Sequence, residues 1–259
     1  MCELLGLNFK SPVTPSFSFR GFRHRSEDNP HGWGIARYEG RSCQIFKEAH
    51  NAQTSELAEF VRDYELFRSQ IFIGHVRDAT RGENTLGNTH PFERVFDSRD
   101  VVLAHNGTLE SLPLKKDELS FLPVGETDSE YLFCALLTIM AAEKFQFTDF
   151  QEIENVLAEF NKLGKMNLLF SEGEHLFSYR DNKGHNGLCI TERISPFGLK
   201  SLKDEDWEFD LAEEKSPGQR GFVIASHPLT VNEKWIDLEL GKLVVLKDGE
   251  IIFGNLKGN

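Results

Sequence analysis

The sequence has few cysteines and no apolar run long enough to cross a membrane. Its four cysteines form no Cys-x-x-Cys pair, which argues against a disulfide framework and against a cysteine-based zinc site. The first residues lack the basic and long apolar regions of a signal peptide. The longest apolar stretch, residues 131–142, is too short for a membrane-spanning helix. These absences predict a cytoplasmic protein that does not bind membranes.

Basic side chains are also scarce. The chain carries 29 lysines and arginines against 41 aspartates and glutamates, which gives a net charge of −12. That balance disfavours binding to a nucleic acid, because phosphate backbones are recognised by surfaces rich in lysine and arginine. Material for a core is abundant, since 22 phenylalanines contribute to a hydrophobic fraction of 39%. No repeat or linker divides the chain, so residues 2–259 are predicted to form a single domain.

Apolar residues at helical spacing predict three helices, at residues 54–67, 128–143 and 148–163. Thr127 or Asp128 is a suitable N-cap for the second helix. In the third helix, Thr148 and Gln151 match a capping box, and Gly164 is a natural terminator. In the first helix, the spacing places five apolar residues on one side: Leu57, Phe60, Val61, Tyr64 and Phe67.

Short strand-like runs occupy much of the remaining chain, with turn signals between several of them. These runs lie at residues 3–7, 34–38, 43–47, 69–76, 101–104, 166–170, 175–179, 222–225, 242–246 and 251–253. Many antiparallel strands with a few helices between them predict sheets covered by helices, which is an α+β layered fold. The acidic segment 203–218 is predicted to be an exposed loop.

Cys2 is the first residue that could carry chemistry. If Met1 is removed, Cys2 carries both a thiol and a free α-amine, and its small side chain is compatible with that removal. An α-amine titrates near ~8, compared with ~10.4 for a lysine amine, so it can act as a general base at neutral pH. A nucleophile with its own amine as base needs no separate histidine. The alternative is that Cys2 simply opens a strand.

The tripeptide His105-Asn106-Gly107 follows the apolar run at residues 101–104. Asn-Gly after a strand most often forms a turn. The same residues could instead stabilise an oxyanion, because an asparagine amide and a neighbouring glycine N–H can converge on one point. Glycine also permits a close approach of the backbone. The sequence leaves both interpretations open.

Arg77 and Asp128 are candidate binding residues at the ends of two predicted elements. Arg77 follows an apolar strand, and its planar guanidinium suits bidentate binding of a carboxylate. A structural ion pair with Asp78 or Asp128 is the alternative. Asp128 opens the most apolar helix, where it either compensates the helix dipole or binds an ammonium group. An arginine and an aspartate together would recognise the zwitterionic head of an amino acid.

The order of the motifs along the chain is more specific than any one of them. The motifs are Met1-Cys2, Gly-His-Val-Arg at 74–77, Asn-Thr-His-Pro-Phe at 88–92, His-Asn-Gly at 105–107 and Gly-Glu-Thr-Asp-Ser-Glu at 125–130. This combination resembles the class II glutamine amidotransferases, members of the N-terminal nucleophile (Ntn) hydrolase superfamily. Within that family it is most similar to the stand-alone bacterial YafJ type, and the resemblance covers nearly the whole chain.

The resemblance implies a role for each matching residue. Cys2 would be the nucleophile that attacks the γ-amide of glutamine, with its own α-amine moving protons. Asn106 and Gly107 would form the oxyanion hole, while Arg77 would hold the substrate α-carboxylate and Asp128 its α-ammonium. Two more residues lie in motifs that line the glutamine pocket in such proteins, Thr80 and His90. The implied fold is a four-layer αββα sandwich of two mainly antiparallel sheets flanked by helices.

Two residues depart from the pattern of such proteins. Many relatives carry Asp-Gly-Trp-Gly where this chain has His-Gly-Trp-Gly, beginning at His31. Larger synthases often have an aromatic residue at the position of Asp78. A carboxylate beside Arg77 would weaken the positive field of a carboxylate-binding pocket.

Three histidines, His75, His90 and His105, are candidate metal ligands. They lack helical i,i+4 spacing, and histidines in such settings are more often structural. No metal and no cofactor are therefore expected.

Three functions compete at the level of the sequence. The first is hydrolysis of glutamine to glutamate and ammonia through a thioester on Cys2, with a separate protein as ammonia acceptor because no second domain follows. The second is hydrolysis of another small γ-glutamyl amide or peptide. The third is a non-catalytic binding or regulatory module that retains the residues of an enzyme. Comparing glutamine with γ-glutamyl amines as substrates separates the first two, and the Cys2→Ala variant tests the third.

Overall fold

The chain folds into short helices and many strands, which a computed structural model describes over residues 1–79, 82–205, 207–211 and 218–256. The α-helices are α1 (Ser16–His24), α2 (Glu56–Asp63), α3 (Asp128–Glu143) and α4 (Phe150–Asn161), with 3₁₀ turns at Arg25–Glu27, Leu86–Asn88 and Lys116–Glu118. The strands are β1 (Glu3–Val13), β2 (Trp33–Glu39), β3 (Ser42–Glu48), β4 (Ser69–Val76), β5 (Phe92–Phe96), β6 (Arg99–Leu109), β7 (Gly164–Ser171), β8 (Leu176–Tyr179), β9 (Cys189–Ile194), β10 (Leu199–Ser201), β11 (Glu208–Asp210), β12 (Arg220–Ala225), β13 (Ile236–Asp237), β14 (Leu243–Lys247) and β15 (Glu250–Phe253).

Most of the strands form two large antiparallel sheets. The first has the strand order β13-β9-β12-β1-β4-β2-β3, and the second has the order β15-β14-β8-β7-β6-β5. A separate ribbon pairs β10 with β11. In the first sheet β1 is central, antiparallel to β12 on one side and to β4 on the other. In the second sheet β6 lies between β5 and β7.

Alternating side chains give each sheet two apolar faces. Leu4 of β1 packs between the sheets in one cluster with Val102 of β6, whereas Leu5 faces outward toward α1 and α2. On the far side, Leu103 of β6 packs under α3 and α4. Three buried clusters thus separate four layers in the order helix, sheet, sheet, helix. This arrangement confirms the αββα fold that the resemblance implies.

The helix α3 begins and ends where the sequence predicts. Its N-cap is Thr127, whose hydroxyl accepts the Glu130 N–H at 3.3 Å. Lys144 closes the helix in a left-handed conformation with a φ of 59°. Most of its side chains are buried against the second sheet and α4. Neither α3 nor any other helix among the described residues has the length and apolar character that crossing a membrane requires.

The ends of helix α4 differ from those that the sequence predicts. The capping box predicted at Thr148 is wrong, because the N-cap is Asp149. The Asp149 carboxylate accepts the Gln146 N–H at 2.7 Å and so fixes the turn before the helix. The helix ends at Asn161, and Gly164 begins β7 instead of terminating the helix.

The helix α2 is shorter than predicted and presents a different face. Because it ends at Asp63, Tyr64 falls outside its periodicity. Phe60 and Tyr64 stack on each other at the surface, with exposed fractions of 51% and 39%. The prediction that these two rings share one side of the helix with Val61 and Phe67 is therefore wrong, because Val61 and Phe67 are buried.

Each strand-like run of the sequence overlaps a strand, but β6 is longer than its run. It continues to Leu109, so Asn106 lies opposite Asn167 and Gly107 lies opposite Met166 of β7. The interpretation of His105-Asn106-Gly107 as a turn is therefore wrong. The tripeptide sits inside β6 and pairs with β7 on one side, since the pairing of β6 with β5 covers only residues 99–103.

The acidic segment 203–218 is not uniformly exposed. Glu208–Asp210 forms β11 and pairs with β10. Leu211 is buried in a small cluster with Phe17 and Leu202. The prediction of an exposed loop is wrong for these residues, while 206 and 212–217 lie outside the described residues.

Candidate active site

The thiol of Cys2 lies against the backbone that follows β4. The Asp78 N–H donates to Cys2 Sγ at 3.2 Å, and the thiol donates to the Asp78 carbonyl at 3.3 Å. Next to it, the end of β12 is tied to β1 by Ser226, whose hydroxyl accepts the Leu4 N–H at 3.0 Å. The pairing of β1 with two neighbours therefore fixes the half-buried sulfur where three strands end.

The surroundings of Cys2 disfavour its thiolate in the resting protein. Burial raises the pKa of the Cys2 thiol, and the charge of Asp78 acts in the same direction. The backbone hydrogen bond from Asp78 and the positive charges of Arg77 and the amino terminus oppose that shift without cancelling it. A group that removes the thiol proton is therefore needed for attack at neutral pH.

Two asparagine amides converge on the carbonyl oxygen of Cys2. Asn106 Nδ2 donates to it at 2.5 Å and Asn186 Nδ2 donates at 2.8 Å. The Asn106 amide also lies 3.4 Å from the hydroxyl of Ser226. Asn106 belongs to the second sheet, so these contacts connect the two sheets at the nucleophile.

Asn186 is a site residue that the sequence did not predict, although it contacts the same oxygen as Asn106. It has a φ of +51° and is followed by Gly187 with a φ of +74°. Asn-Gly is a turn signal, and nothing in the sequence around it indicates that its side chain reaches Cys2. The contact depends on where the loop after β8 folds back, which is decided by tertiary structure.

A buried polar network holds that loop in place. Asp181 is buried, and its carboxylate accepts N–H bonds from Met166 at 2.8 Å and His185 at 3.1 Å, and an amide bond from Asn161 at 2.8 Å. Asn167 Nδ2 donates to the His185 carbonyl at 2.6 Å. Burial alone would raise the pKa of Asp181, but these donors hold it below its usual value. The network places Asn186, the residue after His185, against Cys2.

Gly107 sits where no side chain fits. A Cβ at this position would lie 2.0 Å from the carbonyl oxygen of Lys165 on β7 and 2.5 Å from Nε2 of His105. Both neighbours are fixed: His105 Nε2 lies 3.1 Å from the same Lys165 oxygen, and its Nδ1 lies 2.8 Å from the Ser129 hydroxyl. The requirement for glycine is therefore a close approach of two backbones.

Arg77 is buried directly after β4. Its guanidinium donates to the Glu83 carbonyl and the Asn84 side-chain oxygen, each at 3.2 Å, and to the Gly82 carbonyl at 3.3 Å. Burial lowers the pKa of Arg77, while the nearby Cys2 raises it. Arg77 is thus held beside the nucleophile, and Thr80 lies outside the described residues.

Asp128 is brought to the end of the strand that carries Asn106. Its Oδ2 accepts the Leu109 N–H at 2.6 Å, three residues beyond Asn106 on β6. The start of α3 is also linked to the loop that holds Arg77. Asn88 Nδ2 donates to the Glu83 carbonyl at 3.1 Å, and its Oδ1 accepts the Glu126 N–H at 2.8 Å.

His90 is packed in the interior. Its ring lies against His75, with centroids 4.1 Å apart, and against Phe92 at 4.4 Å. Burial holds the pKa of His90 well below its usual value and lowers that of His75 to about 3. Both imidazoles are therefore neutral at physiological pH. Among the described residues, the groupings of close-set potential metal-ligand atoms lie elsewhere, around Cys43 and around His175.

The two residues that depart from the family pattern meet in space. His31 Nδ1 accepts the Ala79 N–H at 3.1 Å and lies 3.4 Å from Asp78 Oδ1. The other oxygen, Asp78 Oδ2, lies 3.2 Å from the amine of Met1. In the sequence, His31 and Asp78 are separate departures from the pattern, whereas in the fold they lie next to each other beside Cys2.

A model of the class II glutamine amidotransferases matches residues 1–257 of this chain. The chain belongs to this family. Among relatives of this amidotransferase, an uncharacterized protein of Methanocaldococcus jannaschii is 42% identical, with 98% of this chain and 72% of the relative covered. The Escherichia coli protein YafJ is 38% identical, with 91% of this chain and 93% of YafJ covered.

Solved structures agree with this assignment. A crystal structure of a predicted glutamine amidotransferase from Pseudomonas aeruginosa has a TM-score of 0.70 and 32% identity, and 98% of this amidotransferase and 100% of that chain are covered. Glutamine phosphoribosylpyrophosphate amidotransferase of Bacillus subtilis has a TM-score of 0.64 at 17% identity over 96% of this chain and 48% of its own, which shows the shared fold alone. The protein is therefore an enzyme of the class II glutamine amidotransferase family, with the Ntn hydrolase fold.

Proposed function

We propose that this amidotransferase hydrolyses the γ-amide of glutamine through a γ-glutamyl thioester on Cys2. The observation that carries the proposal is the position of the Cys2 sulfur. It is held between the N–H and the carbonyl of Asp78, while Asn106 and Asn186 hold the carbonyl of the same residue. A thiol fixed this closely at the front of the chain has the geometry of an N-terminal nucleophile.

In the proposed reaction, removal of Met1 frees the α-amine of Cys2. That amine takes the thiol proton, and the sulfur attacks the γ-carbonyl carbon of glutamine. An oxyanion forms, which we assign to the Asn106 amide and the Gly107 backbone N–H. The C–N bond then breaks, ammonia leaves with the proton from the amine, and water cleaves the thioester to release glutamate.

To stabilise the oxyanion, the Asn106 amide must exchange one of its present hydrogen-bond acceptors for the substrate oxygen. Its amide nitrogen faces the Cys2 carbonyl and the Ser226 hydroxyl, and the Ser226 contact is the longer one at 3.4 Å. A substrate oxyanion is a stronger acceptor than a hydroxyl. The amide hydrogen directed at Ser226 is therefore the one that a substrate would recruit.

The amino-acid head of the substrate is assigned to Arg77 and Asp128. Arg77 is buried, and its guanidinium donates to neutral oxygens of Gly82, Glu83 and Asn84. A carboxylate is a stronger acceptor than these oxygens. Asp128 presents a half-buried carboxylate, one oxygen of which is held by Leu109. Thr80 and His90 are assigned to the same pocket, with His90 supporting it from the interior.

A second candidate activity is hydrolysis of a larger γ-glutamyl amide. The supporting observation is a cleft of about 400 Å³ whose wall includes Met1 and Asn186. Ammonia is close to water in size, and water occupies about 30 Å³ in the liquid. The cleft therefore has room for an amine leaving group larger than ammonia. If instead a separate protein accepts ammonia, its addition is expected to raise ammonia release from glutamine.

Affinity labelling tests the nucleophile and the pocket together. A diazo-ketone analogue of glutamine is expected to add to Cys2 in stoichiometric amount, because attack on the analogue needs the same thiol and head-group contacts. The adduct is located by peptide mass spectrometry. Excess glutamine is expected to slow the labelling. An adduct elsewhere, or a labelled protein that retains Met1, contradicts the mechanism.

Cys43→Ala is the matched control for this experiment. Cys43 is the other thiol that is not fully buried. It donates to Glu93 Oε1 at 2.8 Å, and burial together with that carboxylate raises its pKa. The variant is expected to label at Cys2 at the rate of the unaltered protein, whereas Cys2→Ala is expected to remain unlabelled.

Removal of the Asn186 amide is expected to slow turnover without unfolding the protein. Asn186→Gly deletes the hydrogen bond to the Cys2 carbonyl but tolerates the φ of +51°. We expect kcat for glutamine to fall about tenfold, because the first residue of the mature chain loses one of its two anchors. Steady-state glutamate release measures this change.

Asn232→Gly provides the control for the loss of an asparagine amide. Asn232 is exposed, and its amide donates to the Leu199 carbonyl at 3.0 Å, away from Cys2. Its kcat is expected to be unchanged. If Asn186→Gly lowers the free energy of unfolding but leaves kcat intact, Asn186 supports the loop and does not position the nucleophile.

A further inference from the structure

The side chain of Asp78 holds an ammonium group next to the nucleophile. Its Oδ2 lies 3.2 Å from the Met1 amine, and its Oδ1 lies 3.4 Å from His31 Nδ1. The backbone of the same residue contacts the Cys2 sulfur from two sides. Asp78 therefore binds an ammonium group through its side chain, while its backbone contacts the thiol that is proposed to attack the amide.

The cleft beside this ion pair carries excess negative charge. Its wall holds Met1 and Asn186 together with the side chains of Arg25 and Lys203. Four carboxylates outnumber these two cations, from Glu3, Glu27, Asp28 and Asp204. A negative cleft raises the local concentration of cationic ligands.

Two of these carboxylates are not neutralised. Arg25 pairs with Asp204 at 2.7 Å, and Glu3 lies 2.9 Å from His227. Glu27 and Asp28 are exposed, and neither has an ion-pair partner within 4.0 Å among the described residues. The outer part of the cleft therefore offers carboxylates for a second positive charge.

We propose that Asp78 and this cleft form a leaving-group subsite for γ-glutamyl conjugates of diamines and polyamines. The distal ammonium of the departing amine takes the place of the Met1 amine on Asp78 Oδ2. His31 lies against the other carboxylate oxygen, with its Nδ1 3.4 Å from Asp78 Oδ1. The inference rests on the proposed function, since it names the class of amide that the Cys2 thiol cleaves.

Removal of Met1 makes the subsite available. The mechanism requires that removal, and it leaves Asp78 Oδ2 without the ammonium that it binds at 3.2 Å. A partly buried carboxylate without a partner is unfavourable, so a cationic ligand gains free energy by restoring the pair. A neutral alkyl amine has no such contact to offer.

The same cation also assists the nucleophile. Burial and, to a smaller extent, the negative charge of Asp78 raise the pKa of the Cys2 thiol. An ammonium on Asp78 offsets that charge, and the thiolate forms more readily. The bond between the γ-carbonyl carbon and the amine nitrogen then breaks as the thioester forms. The released amine takes the proton from the Cys2 α-amine, and water hydrolyses the thioester to glutamate.

Two amides that differ by one charge test the proposal. Mature protein, with Met1 removal verified by intact mass, is given either the mono-γ-glutamyl amide of putrescine or the γ-glutamyl amide of pentylamine. Both leaving groups have the same length, but only the first ends in an ammonium. We expect kcat/KM for the putrescine amide to be about tenfold higher, measured as glutamate release. Equal values for the two amides overturn the proposal.

Asp78→Asn removes the charge while it keeps the size and the backbone contacts to Cys2. The ratio of the two kcat/KM values is expected to fall from about ten to about one. Asp63→Asn is the control, because Asp63 also forms an ion pair, with Arg62, but lies at the end of α2. Its ratio is expected to match that of the unaltered protein.

One alternative occupant of Asp78 is the α-ammonium of Cys2 itself. In that case Asp78→Asn slows both amides and glutamine by the same factor, and the ratio in the unaltered protein is near one. That result overturns the leaving-group subsite but not the proposed function. If the diazo-ketone fails to label Cys2 and neither glutamine nor an amide is hydrolysed, both proposals fail.

Discussion

Replacing Cys2 with alanine is expected to reduce glutamine hydrolysis by on the order of 10⁴-fold. Without the sulfur no thioester forms, and only substrate binding and oxyanion stabilisation remain. Alanine is as small as cysteine, so Met1 is expected to be removed from the variant as well. Glutamate release under saturating glutamine measures the loss. Unchanged turnover in Cys2→Ala would exclude Cys2 as the nucleophile.

A second form of the same protein separates the thiol from its base. When Met1 is retained, by expression with an inhibitor of methionine aminopeptidase, the thiol is present but the Cys2 nitrogen is an amide. The free amine then belongs to Met1, which is paired with Asp78. Turnover is expected to fall by a factor similar to that of Cys2→Ala. Full activity of the Met1 form would exclude the α-amine as the proton acceptor.

Gly107→Ala is expected to destabilise the protein by about 3 kcal/mol. The added Cβ would lie 2.0 Å from the Lys165 carbonyl oxygen and 2.6 Å from its carbon, which are backbone atoms of β7. Relief requires that β6 and β7 separate, and this separation also displaces the neighbouring Asn106 from the Cys2 carbonyl. Urea unfolding gives the change in free energy, and kcat is expected to fall with it.

Gly87→Ala is the control for the effect of an added methyl group. The nearest atom to its Cβ would be 3.8 Å away, which is ordinary van der Waals contact. Its free energy of unfolding is expected to change by less than about 0.5 kcal/mol. A Gly107→Ala variant as stable as this control would contradict the role assigned to the close contact with β7. A loss of kcat in that stable variant would leave Gly107 with a catalytic role alone.

Local signals were sufficient where they agreed with the tertiary packing. The helix α3 is strongly apolar and has Thr127 at its start, so its bounds follow from the sequence. The helix α1 gave no comparable signal, because it has nine residues and its N-cap is Pro15, which makes no side-chain hydrogen bond. Phe19 and Phe22 are buried against the first sheet, and Phe17 is buried in the cluster with Leu202 and Leu211, by contacts that a short sequence window does not contain.

The candidate site also has features that the sequence predicts and features that it does not predict. Four of the residues lie in motifs that can be recognised one at a time: Cys2, Arg77, Asn106 and Asp128. The structure places Cys2, Arg77 and Asp128 at strand and helix ends and Asn106 inside β6. Gly107 was correctly associated with a close approach of the backbone. The sequence did not predict which atoms Gly107 approaches, because they belong to Lys165 on β7, far along the chain.

The sequence by itself determined the family and the layered fold, because both depend on residue types in a fixed order. Only the tertiary structure decided that Asn186 reaches the Cys2 carbonyl and that Asp78, His31 and the Met1 amine meet beside the sulfur. Those contacts join residues up to 184 positions apart. Their geometry is set by sheet register and buried hydrogen bonds, which no local stretch of sequence specifies.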